Sequence, residues 1–329
     1  MQNIAPNIAP GLQEETVEFL SHGETVRGIL TTPQGLKPSR LLICSHGWSG
    51  TRSGPTGILT FLARHISRDC KLAVLRFDYR GRGNSDGDGL AVTLETMADD
   101  LVAATEFGRR YTGCQHPAYL GLCSGGNVVV GSLGRLPRPS ALLLLSVYPF
   151  SDGDNFGRDL GRLRHLLGAY WRKLCSLENW RRLLRGEASL GRVASVLRSA
   201  LFRGARNRRK ETADALEAAP SAPTSGNIPG CAVKAAAKEG RKDAEHAPRQ
   251  YLRHLTREIS ALFLYGSQDP DAASAKKYYG QYAEERRLPV IFQTIDGANH
   301  NFSALGLRQQ VADACAEFLR HRQDKNSGQ

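Results

Sequence analysis

Two kinds of hydrophobic pattern follow one another along the chain. The alternating pattern in "TVEFLSHGETVRGIL" (residues 16–30) predicts a β-hairpin around a short turn. Beyond it, short and nearly continuous apolar runs predict strands that are buried on both faces. These runs occupy residues 40–46, 71–78, 117–122, 141–147, 261–266 and 290–295.

Amphipathic stretches separate most of these runs. They predict helices over residues 57–68, 94–111, 126–136, 272–287 and 307–321. Buried strands that alternate with helices are typical of an α/β domain with a mostly parallel sheet. We therefore expect helices on both faces of that sheet, joined by right-handed connections.

One interval, residues 151–256, lacks any strand pattern. Its first half is basic and amphipathic, and residues 212–250 are rich in Ala, Pro, Gly and charge with few large apolar side chains, which predicts a flexible loop. The predicted organisation is a flexible N-terminus (1–13), one α/β core (14–150 and 257–322) and a basic helical insertion (151–256).

Composition fits this organisation, because 329 residues with 41% hydrophobic content suit one large domain with an insertion. The net charge of +12 resides in residues 157–210, which hold 15 Arg and Lys against three acidic residues. Such a segment indicates a docking surface for an acidic partner or an anionic membrane, or else a solvated helix face. Nucleic acid is not favoured, because no recognised binding module accompanies the charge.

The seven cysteines form an odd set with no C-x-x-C pair and no Cys/His cluster. This argues against a disulfide framework and against structural zinc, so we expect reduced thiols and neither a metal nor another cofactor. No apolar stretch resembles a cleaved export signal or a membrane span. The expected location is the cytoplasm.

The strongest chemical motif is "GLCSGG", which follows the apolar run 117–122 and precedes a helix. Gly121 and Gly125 lie two residues on either side of Cys123, as in a nucleophile elbow of the G-x-S-x-G type, whereas a frame centred on Ser124 lacks this symmetry. Cys123 is therefore the predicted nucleophile, at a helix N-terminus that lowers a thiol pKa. Ser124 is expected to supply its backbone N–H rather than its hydroxyl.

Two further groups follow later strands. Asp269 lies in "GSQDPD" after the run 261–266, and His300 lies in "DGANHNF" after the run 290–295. The order Cys123, Asp269, His300 matches nucleophile, acid and base, with His300 as the proton acceptor and Asp269 fixing its tautomer. Asp271 and Asp152 are the alternatives for the acid.

The loop "SHGWSG" follows the run 40–46 and completes this set. The Trp48 backbone N–H, together with that of Ser124, is predicted to form an oxyanion hole. His46 and Gly47 are expected to support this loop, and the His46 side chain is expected to brace it rather than to transfer protons.

Taken together, "HGWSG", "RFDYRGRGNSDG", "GLCSGG", "GSQDPD" and "GANH" make the chain resemble the α/β-hydrolase superfamily over residues 14–150 and 257–321. The resemblance implies an eight-stranded sheet with a helical cap after the sixth strand, where residues 151–256 fall. Asp78 and Arg80, in the second motif, are expected to be structural. Cysteine replaces the usual serine, and the G-x-C-x-G-G elbow resembles those of dienelactone hydrolases, polyhydroxyalkanoate synthases and some biosynthetic thioesterases.

The expected activity is hydrolysis of thioesters or activated esters (EC 3.1 class) through an acyl-Cys123 intermediate. A thiolate is a good leaving group, so attack on an amide tends to reverse unless the amine is protonated. The expected substrate is a small acyl compound, such as one borne by a carrier protein or coenzyme A. Two alternatives are an acyltransferase (EC 2.3) that uses an alcohol, amine or thiol acceptor, and a non-catalytic binding protein that uses the basic cap.

Overall fold

The computed structural model describes residues 10–149 and 252–326. In these ranges the strands are β1 (Leu12–Ser21), β2 (Glu24–Pro33), β3 (Leu41–Ser45), β4 (Ala73–Phe77), β5 (Ala118–Leu122), β6 (Leu142–Leu145), β7 (Ala261–Gly266) and β8 (Val290–Ile295). The α-helices are α1 (Ile58–Cys70), α2 (Leu94–Thr112), α3 (Ser124–Ser132), α4 (Ala272–Arg286) and α5 (Leu305–Asn326).

The strands form one eight-stranded sheet in the order β1-β2-β4-β3-β5-β6-β7-β8. β1 and β2 form the predicted hairpin, whose turn residues His22 and Gly23 both have positive φ, at 48° and 84°. β2 also pairs antiparallel with β4, and the remaining strand pairs are parallel. The sheet confirms the predicted α/β-hydrolase fold class.

The direction of winding reverses beside β3. From β3 the chain passes through α1 to β4 on one side, and from β4 through α2 to β5 on the other side. The loops that follow β3 and β5 therefore lie next to each other at the carboxyl edge of the sheet. Open α/β sheets place their ligand sites at such a reversal.

The core has one apolar layer on each face of the sheet. Helices α2, α3 and α4 pack on one face and α1 and α5 on the other. Every residue of the four central strands β3, β4, β5 and β6 is buried, which explains why their sequences are continuous apolar runs. Among the described helices none is long and apolar enough to cross a membrane.

The core extends slightly beyond the predicted boundaries. β1 begins at Leu12, which is buried and pairs with Pro33, so the ordered sheet starts before residue 14. Leu252 and Leu255 are buried in the core, so it resumes before residue 257. The rest of the predicted insertion (151–251) and residues 1–9 of the predicted flexible N-terminus lie outside the described residues.

The start of α3 differs from the predicted residue 126. The helix begins at Ser124, directly after Cys123. Its first turn is "SGGN", which contains no apolar side chain, so apolar periodicity could not reveal it.

Glycine is required where β5, α3 and β3 meet. A Cβ atom at Gly121 would lie 2.3 Å from the Cα atom of Gly126, and one at Gly125 would lie 2.3 Å from the backbone oxygen of Ser45. Both obstacles are backbone atoms, which cannot move without shifting a strand or a helix. The strand and helix around Cys123 therefore pack at a distance that excludes any side chain.

We expect Gly125→Ala to lower the free energy of unfolding by about 3 kcal/mol, because the new methyl group would overlap the β3 backbone. Gly280→Ala is the matched control. Its Cβ would meet only the Phe292 ring, at 4.0 Å, so this helical site should gain about 0.5–1 kcal/mol. Urea denaturation followed by circular dichroism measures both, and equal effects of the two substitutions would contradict the close-packing argument.

Candidate active site

Cys123 lies at the turn between β5 and α3. Its backbone has φ 55° and ψ −127°, a conformation that is unfavourable for a residue with a Cβ. Two hydrogen bonds hold the turn: Cys123 N–H donates to the Leu145 carbonyl at 2.8 Å, and Gly126 N–H donates to the Cys123 carbonyl at 3.0 Å. Of the free cysteines in the described residues, Cys123 is partly exposed and the others are buried.

Asp269 and His300 lie in the loops that follow β7 and β8, and the structure brings them into contact. Asp269 Oδ2 and His300 Nδ1 are 2.9 Å apart. The two loops are joined by a hydrogen bond from Gln268 N–H to the Ala298 carbonyl at 2.8 Å. Asp269 is 4% exposed, so this carboxylate depends on protein hydrogen bonds rather than on water.

The predicted alternative acid, Asp271, is also buried and lies close by. Its backbone N–H donates to Asp269 Oδ1 at 3.1 Å, so each Asp269 oxygen accepts a hydrogen bond. The structure therefore favours Asp269 as the partner of His300, with Asp271 orienting it. The other alternative, Asp152, lies outside the described residues.

Cys123 and His300 shift each other's pKa values. Burial alone would raise the pKa of Cys123, but the His300 hydrogen bond and charge, together with hydrogen bonds from Ser124, lower it below its ordinary value. Burial alone would lower the pKa of His300, but Asp269 and the Cys123 sulfur raise it to about 10. Each group therefore favours the charged form of the other, which favours a thiolate beside an imidazolium.

The loop after β3 contacts the side chain of Ser124. The Trp48 backbone N–H donates to the Ser124 side-chain oxygen at 2.6 Å. That Ser124 supplies its backbone N–H rather than its hydroxyl stays a prediction, and the contact of its side chain with Trp48 is one that spacing does not reveal. That the Trp48 and Ser124 N–H groups form an oxyanion hole stays a prediction.

His46 and Gly47, the residues predicted to support this loop, contact each other at its start. The His46 side chain is fully buried, its Nδ1 donates to the Gly47 carbonyl at 2.8 Å, and its ring packs edge-on against Tyr79 with centroids 4.6 Å apart. Burial lowers the pKa of His46, so the ring is neutral at neutral pH. A Cβ at Gly47 would lie 3.6 Å from the Cys123 Cβ and 3.5 Å from Ser124 Oγ, so this residue lines the site.

The loop after β4 holds the Trp48 loop in place. Asp78 is buried and accepts a hydrogen bond from Arg52 N–H at 2.6 Å, as well as an ion pair from the Arg52 guanidinium. Arg82 donates to the Trp48 carbonyl at 3.0 Å and stacks over the indole ring at 5.9 Å. Sequence analysis assigned no role to Arg52 or Arg82, because their partners lie on other loops and spacing does not reveal such contacts.

The second residue expected to be structural, Arg80, also has structural partners. Its Nε donates to Asp100 Oδ1 at 2.5 Å and its backbone N–H donates to Asp100 Oδ2 at 2.8 Å. These contacts join the loop after β4 to α2. Neither Asp78 nor Arg80 lines the cavity beside Cys123.

A cavity of about 520 Å³ opens beside Cys123. Its walls include Trp48, Thr51, Pro55, Tyr148 and Asn301. Tyr148 follows β6 and Asn301 follows His300, so a search of every strand end would have found Tyr148. The cavity is large enough for a small acyl group beside the sulfur atom.

One group of potential metal ligands occurs among the described residues, and it belongs to this site. Ligand atoms of Asp269, Asp271 and His300 lie within 4.8 Å of one another. However, the His300 Nδ1–H donates to Asp269, so that nitrogen has no lone pair for a metal. The geometry thus fits a hydrogen-bonded carboxylate and imidazole better than a metal centre.

Comparison with known proteins identifies relatives of the fold. A family model described as the alpha/beta hydrolase family matches residues 41–316. No curated protein sequence matches the chain.

Solved structures from several organisms are similar in fold. An esterase from Pyrococcus furiosus is 13% identical with a TM-score of 0.57, over 94% of this chain and 93% of that one. A proline iminopeptidase from Mycobacterium smegmatis is 16% identical with a TM-score of 0.56, over 94% and 98% of the two chains. A dienelactone hydrolase from Anabaena variabilis is 14% identical with a TM-score of 0.54, over 94% and 98%.

Iodoacetamide at neutral pH should label Cys123 well before Cys44, Cys70 and Cys315, because only a thiolate reacts and burial raises the pKa of those three thiols. The labelling rate of Cys123 should rise with pH around a midpoint below the ordinary thiol value of about 8.5. Peptide mass spectrometry after timed quenching measures each rate.

In the Asp269→Asn variant the same midpoint should move upward, since a weaker His300 positive charge stabilises the thiolate less. Asp296→Asn is the control, because Asp296 contacts Ser267 rather than His300. An unchanged midpoint in Asp269→Asn would show that the carboxylate does not support the ion pair.

Proposed function

The chain belongs to the alpha/beta hydrolase family, and we propose that it is a cysteine-dependent acyl hydrolase acting on thioesters or activated esters. Cys123, Asp269 and His300 are the proposed catalytic residues. The observation that carries the proposal is the 2.9 Å contact between His300 and Asp269 at the carboxyl edge of the sheet, with His300 lowering the pKa of the Cys123 thiol.

In the first half of the reaction the Cys123 thiolate attacks the substrate carbonyl carbon. A sulfur–carbon bond forms and the carbonyl π electrons move to the oxygen. When the tetrahedral intermediate collapses, the bond to the leaving group breaks and the His300 imidazolium gives that group its proton. The product of this half is an acyl-thioester at Cys123 and a neutral His300.

In the second half His300 takes a proton from water, and the oxygen of that water attacks the acyl-thioester. The intermediate expels the Cys123 thiolate and releases the acid, which restores the ion pair. Asp269 accepts the Nδ1–H of His300 in both halves and stabilises the imidazolium. The hydrogen bond to Asp269 therefore stabilises His300 in each step in which its ring is positively charged.

The ion pair favours substrates with good leaving groups. A thiolate is a good leaving group. The tetrahedral intermediate from an amide therefore expels the Cys123 thiolate rather than the nitrogen, whereas the intermediate from a thioester or activated ester can expel the substrate's own thiolate or alkoxide. The sulfur lies beside the 520 Å³ cavity, which suits a small acyl chain. The basic segment 157–210, with 15 cationic residues, would suit an acyl group carried on coenzyme A or an acidic carrier protein.

Transfer to another acceptor is the second candidate function. An acyl-thioester reacts with amines, alcohols and thiols as well as with water, so the intermediate at Cys123 is common to both activities. Tyr148 and Asn301 line the cavity in which an acceptor would have to reach the acyl group. A binding role without catalysis is less well supported, because the thiolate-stabilising contacts of Cys123 have no purpose in it.

Cys123→Ala should lower kcat on acyl-thioesters and aryl esters by about 10³-fold or more, since the covalent route is lost. Cys114→Ala, which removes a buried thiol remote from the cavity, is the control and should retain activity. Steady-state assays with both substrate classes measure the change. Full turnover by Cys123→Ala would refute the proposed mechanism.

His300→Ala should accumulate an acyl-enzyme with a reactive acyl-thioester, because no base remains to activate water. Intact mass spectrometry should show one added acyl group, mapped to Cys123 by peptide analysis. Added hydroxylamine or alcohol tests the transfer alternative: release of the acyl product at rates above hydrolysis in the parent protein would favour a transferase. A mass unchanged under all conditions would argue against a covalent intermediate.

A further inference from the structure

Tyr79 carries a buried hydroxyl that the two-step reaction above does not use. Its side chain is fully buried in the loop after β4, and its ring packs edge-on against those of His46 and Phe77, at centroid distances of 4.6 and 5.0 Å. Burial raises the pKa of Tyr79, so the hydroxyl keeps its proton and can donate it in a hydrogen bond. Its partner is the hydroxyl oxygen of Ser45, which is also fully buried.

The acceptor beyond Ser45 fixes the direction of both hydrogen bonds. Ser45 Oγ lies 2.7 Å from the Gly125 carbonyl oxygen, which can only accept, so the Ser45 hydroxyl donates its one proton there. The Tyr79 hydroxyl must therefore donate to Ser45. The loop after β4, strand β3 and the first turn of α3 are thus joined by one directed series of hydrogen bonds.

The series continues through two peptide groups to the turn at the nucleophile. The Gly125 carbonyl belongs to the peptide whose N–H is that of Gly126, and this N–H donates to the Cys123 carbonyl at 3.0 Å. The Cys123 carbonyl belongs in turn to the peptide whose N–H is that of Ser124, a predicted oxyanion donor. Ser124 is the first residue of α3, so its N–H has no acceptor within the helix.

Hydrogen bonds that run in one direction strengthen one another by about 10–30% per bond, because a peptide whose carbonyl accepts a bond has a more polarised N–H. We propose that Tyr79 and Ser45 are positioning residues that strengthen the Ser124 N–H as a donor to the substrate oxyanion. They act through the two intervening peptides and do not contact the substrate. This inference rests on the proposed acyl-transfer mechanism and adds two residues to its oxyanion step.

The Gly125 carbonyl does not need the Ser45 hydroxyl in order to be satisfied. Within α3 this carbonyl is also in position to accept the N–H of Val129, four residues further along the helix. The close approach of β3 to α3 is set by the missing side chain of Gly125, whose Cβ would lie 2.3 Å from the Ser45 carbonyl oxygen. Neither satisfaction of the helix nor packing therefore accounts for the two hydroxyl groups.

The proposed step transfers no proton along the series. As the Cys123 sulfur attacks, a sulfur–carbon bond forms, the carbonyl π electrons move to the oxygen, and the Ser124 N–H donates to that oxygen while keeping its hydrogen. The oxygen carries most charge in the tetrahedral intermediate, so a stronger donor stabilises this intermediate and the adjacent transition state more than the bound substrate. The leaving group still receives its proton from His300.

Tyr79→Phe, Ser45→Ala and the double variant test this proposal in the full chain. Tyr119→Phe and Ser132→Ala are the controls, because Tyr119 is equally buried and the buried Ser132 hydroxyl donates to another carbonyl of α3, at 2.7 Å. Thermal unfolding reports on the fold. If Ser45→Ala is unstable, Ser45→Cys takes its place, since a thiol is a weaker donor than a hydroxyl.

Three quantities are measured: kcat with an acyl-thioester, the inhibition constant of an alkyl trifluoromethyl ketone, and the rate at which iodoacetamide alkylates Cys123. The ketone acquires an oxyanion when the sulfur adds to its carbonyl carbon. Iodoacetamide reacts at its CH₂ carbon with loss of iodide and forms no oxyanion. The alkylation rate therefore reports on the sulfur alone, and the other two quantities also report on the oxyanion donors.

We expect kcat to fall about fivefold in Tyr79→Phe and about tenfold in Ser45→Ala, since the Ser124 donor is weakened rather than removed. The ketone should bind more weakly by a similar factor, because its adduct resembles the tetrahedral intermediate. Alkylation should stay within about threefold of the parent rate, and both controls should match the parent throughout. The double variant should lose no more than Ser45→Ala alone, because Ser45→Ala already interrupts the series.

Unchanged ketone affinity in Tyr79→Phe would overturn the proposal. Additive losses in the double variant, or a loss of alkylation in parallel with kcat, would also overturn it, because either result identifies a purely structural role. A parent protein that forms no ketone adduct would do the same. The ketone requires a nucleophilic sulfur but no turnover, so weaker ketone binding in Tyr79→Phe would still support the series if Cys123→Ala kept turnover and the proposed hydrolase mechanism failed.

Discussion

The backbone turn at Cys123 is the constraint on which the rest of the site depends. A residue with φ 55° and ψ −127° reverses the chain between β5 and α3 within one position, so strand and helix must run side by side at very short distance. Only glycine fits at Gly121 and Gly125 for this reason. Ser45 secures the arrangement from β3, because its hydroxyl donates to the Gly125 carbonyl at 2.7 Å.

That turn also decides the electrostatics of the nucleophile. It places Cys123 directly before the first residue of α3, where His300 and Ser124 lower the pKa of its thiol. Burial by itself would favour a neutral thiol, and the contacts reverse that preference. A serine in the same position would stay protonated, whereas the lowered pKa of Cys123 and the raised pKa of His300 favour an ion pair.

The loops around the sulfur are held by interactions between residues outside the proposed catalytic set. Asp78 binds Arg52, and Arg82 binds the Trp48 carbonyl, so the loop after β4 fixes the loop after β3. On the other side, Gly266 allows the loop after β7 to approach Ala298 closely enough for Asp269 and His300 to meet. Each proposed catalytic group thus lies in a turn or loop that is hydrogen-bonded to a neighbouring segment.

The sequence determined the strand order along the chain, the alternation with helices, and the places of Cys123, Asp269 and His300 at strand ends, because buried parallel strands and a glycine-flanked turn leave strong local patterns. It could not determine the start of α3, whose first turn has no apolar residue, or the role of Arg52 and Arg82, which act through partners distant in sequence. Above all, the direction of the Ser124 hydroxyl was decided only by tertiary structure. Spacing identifies which residue follows the nucleophile, but the Trp48 N–H that orients its side chain comes from a loop 76 residues away in the chain.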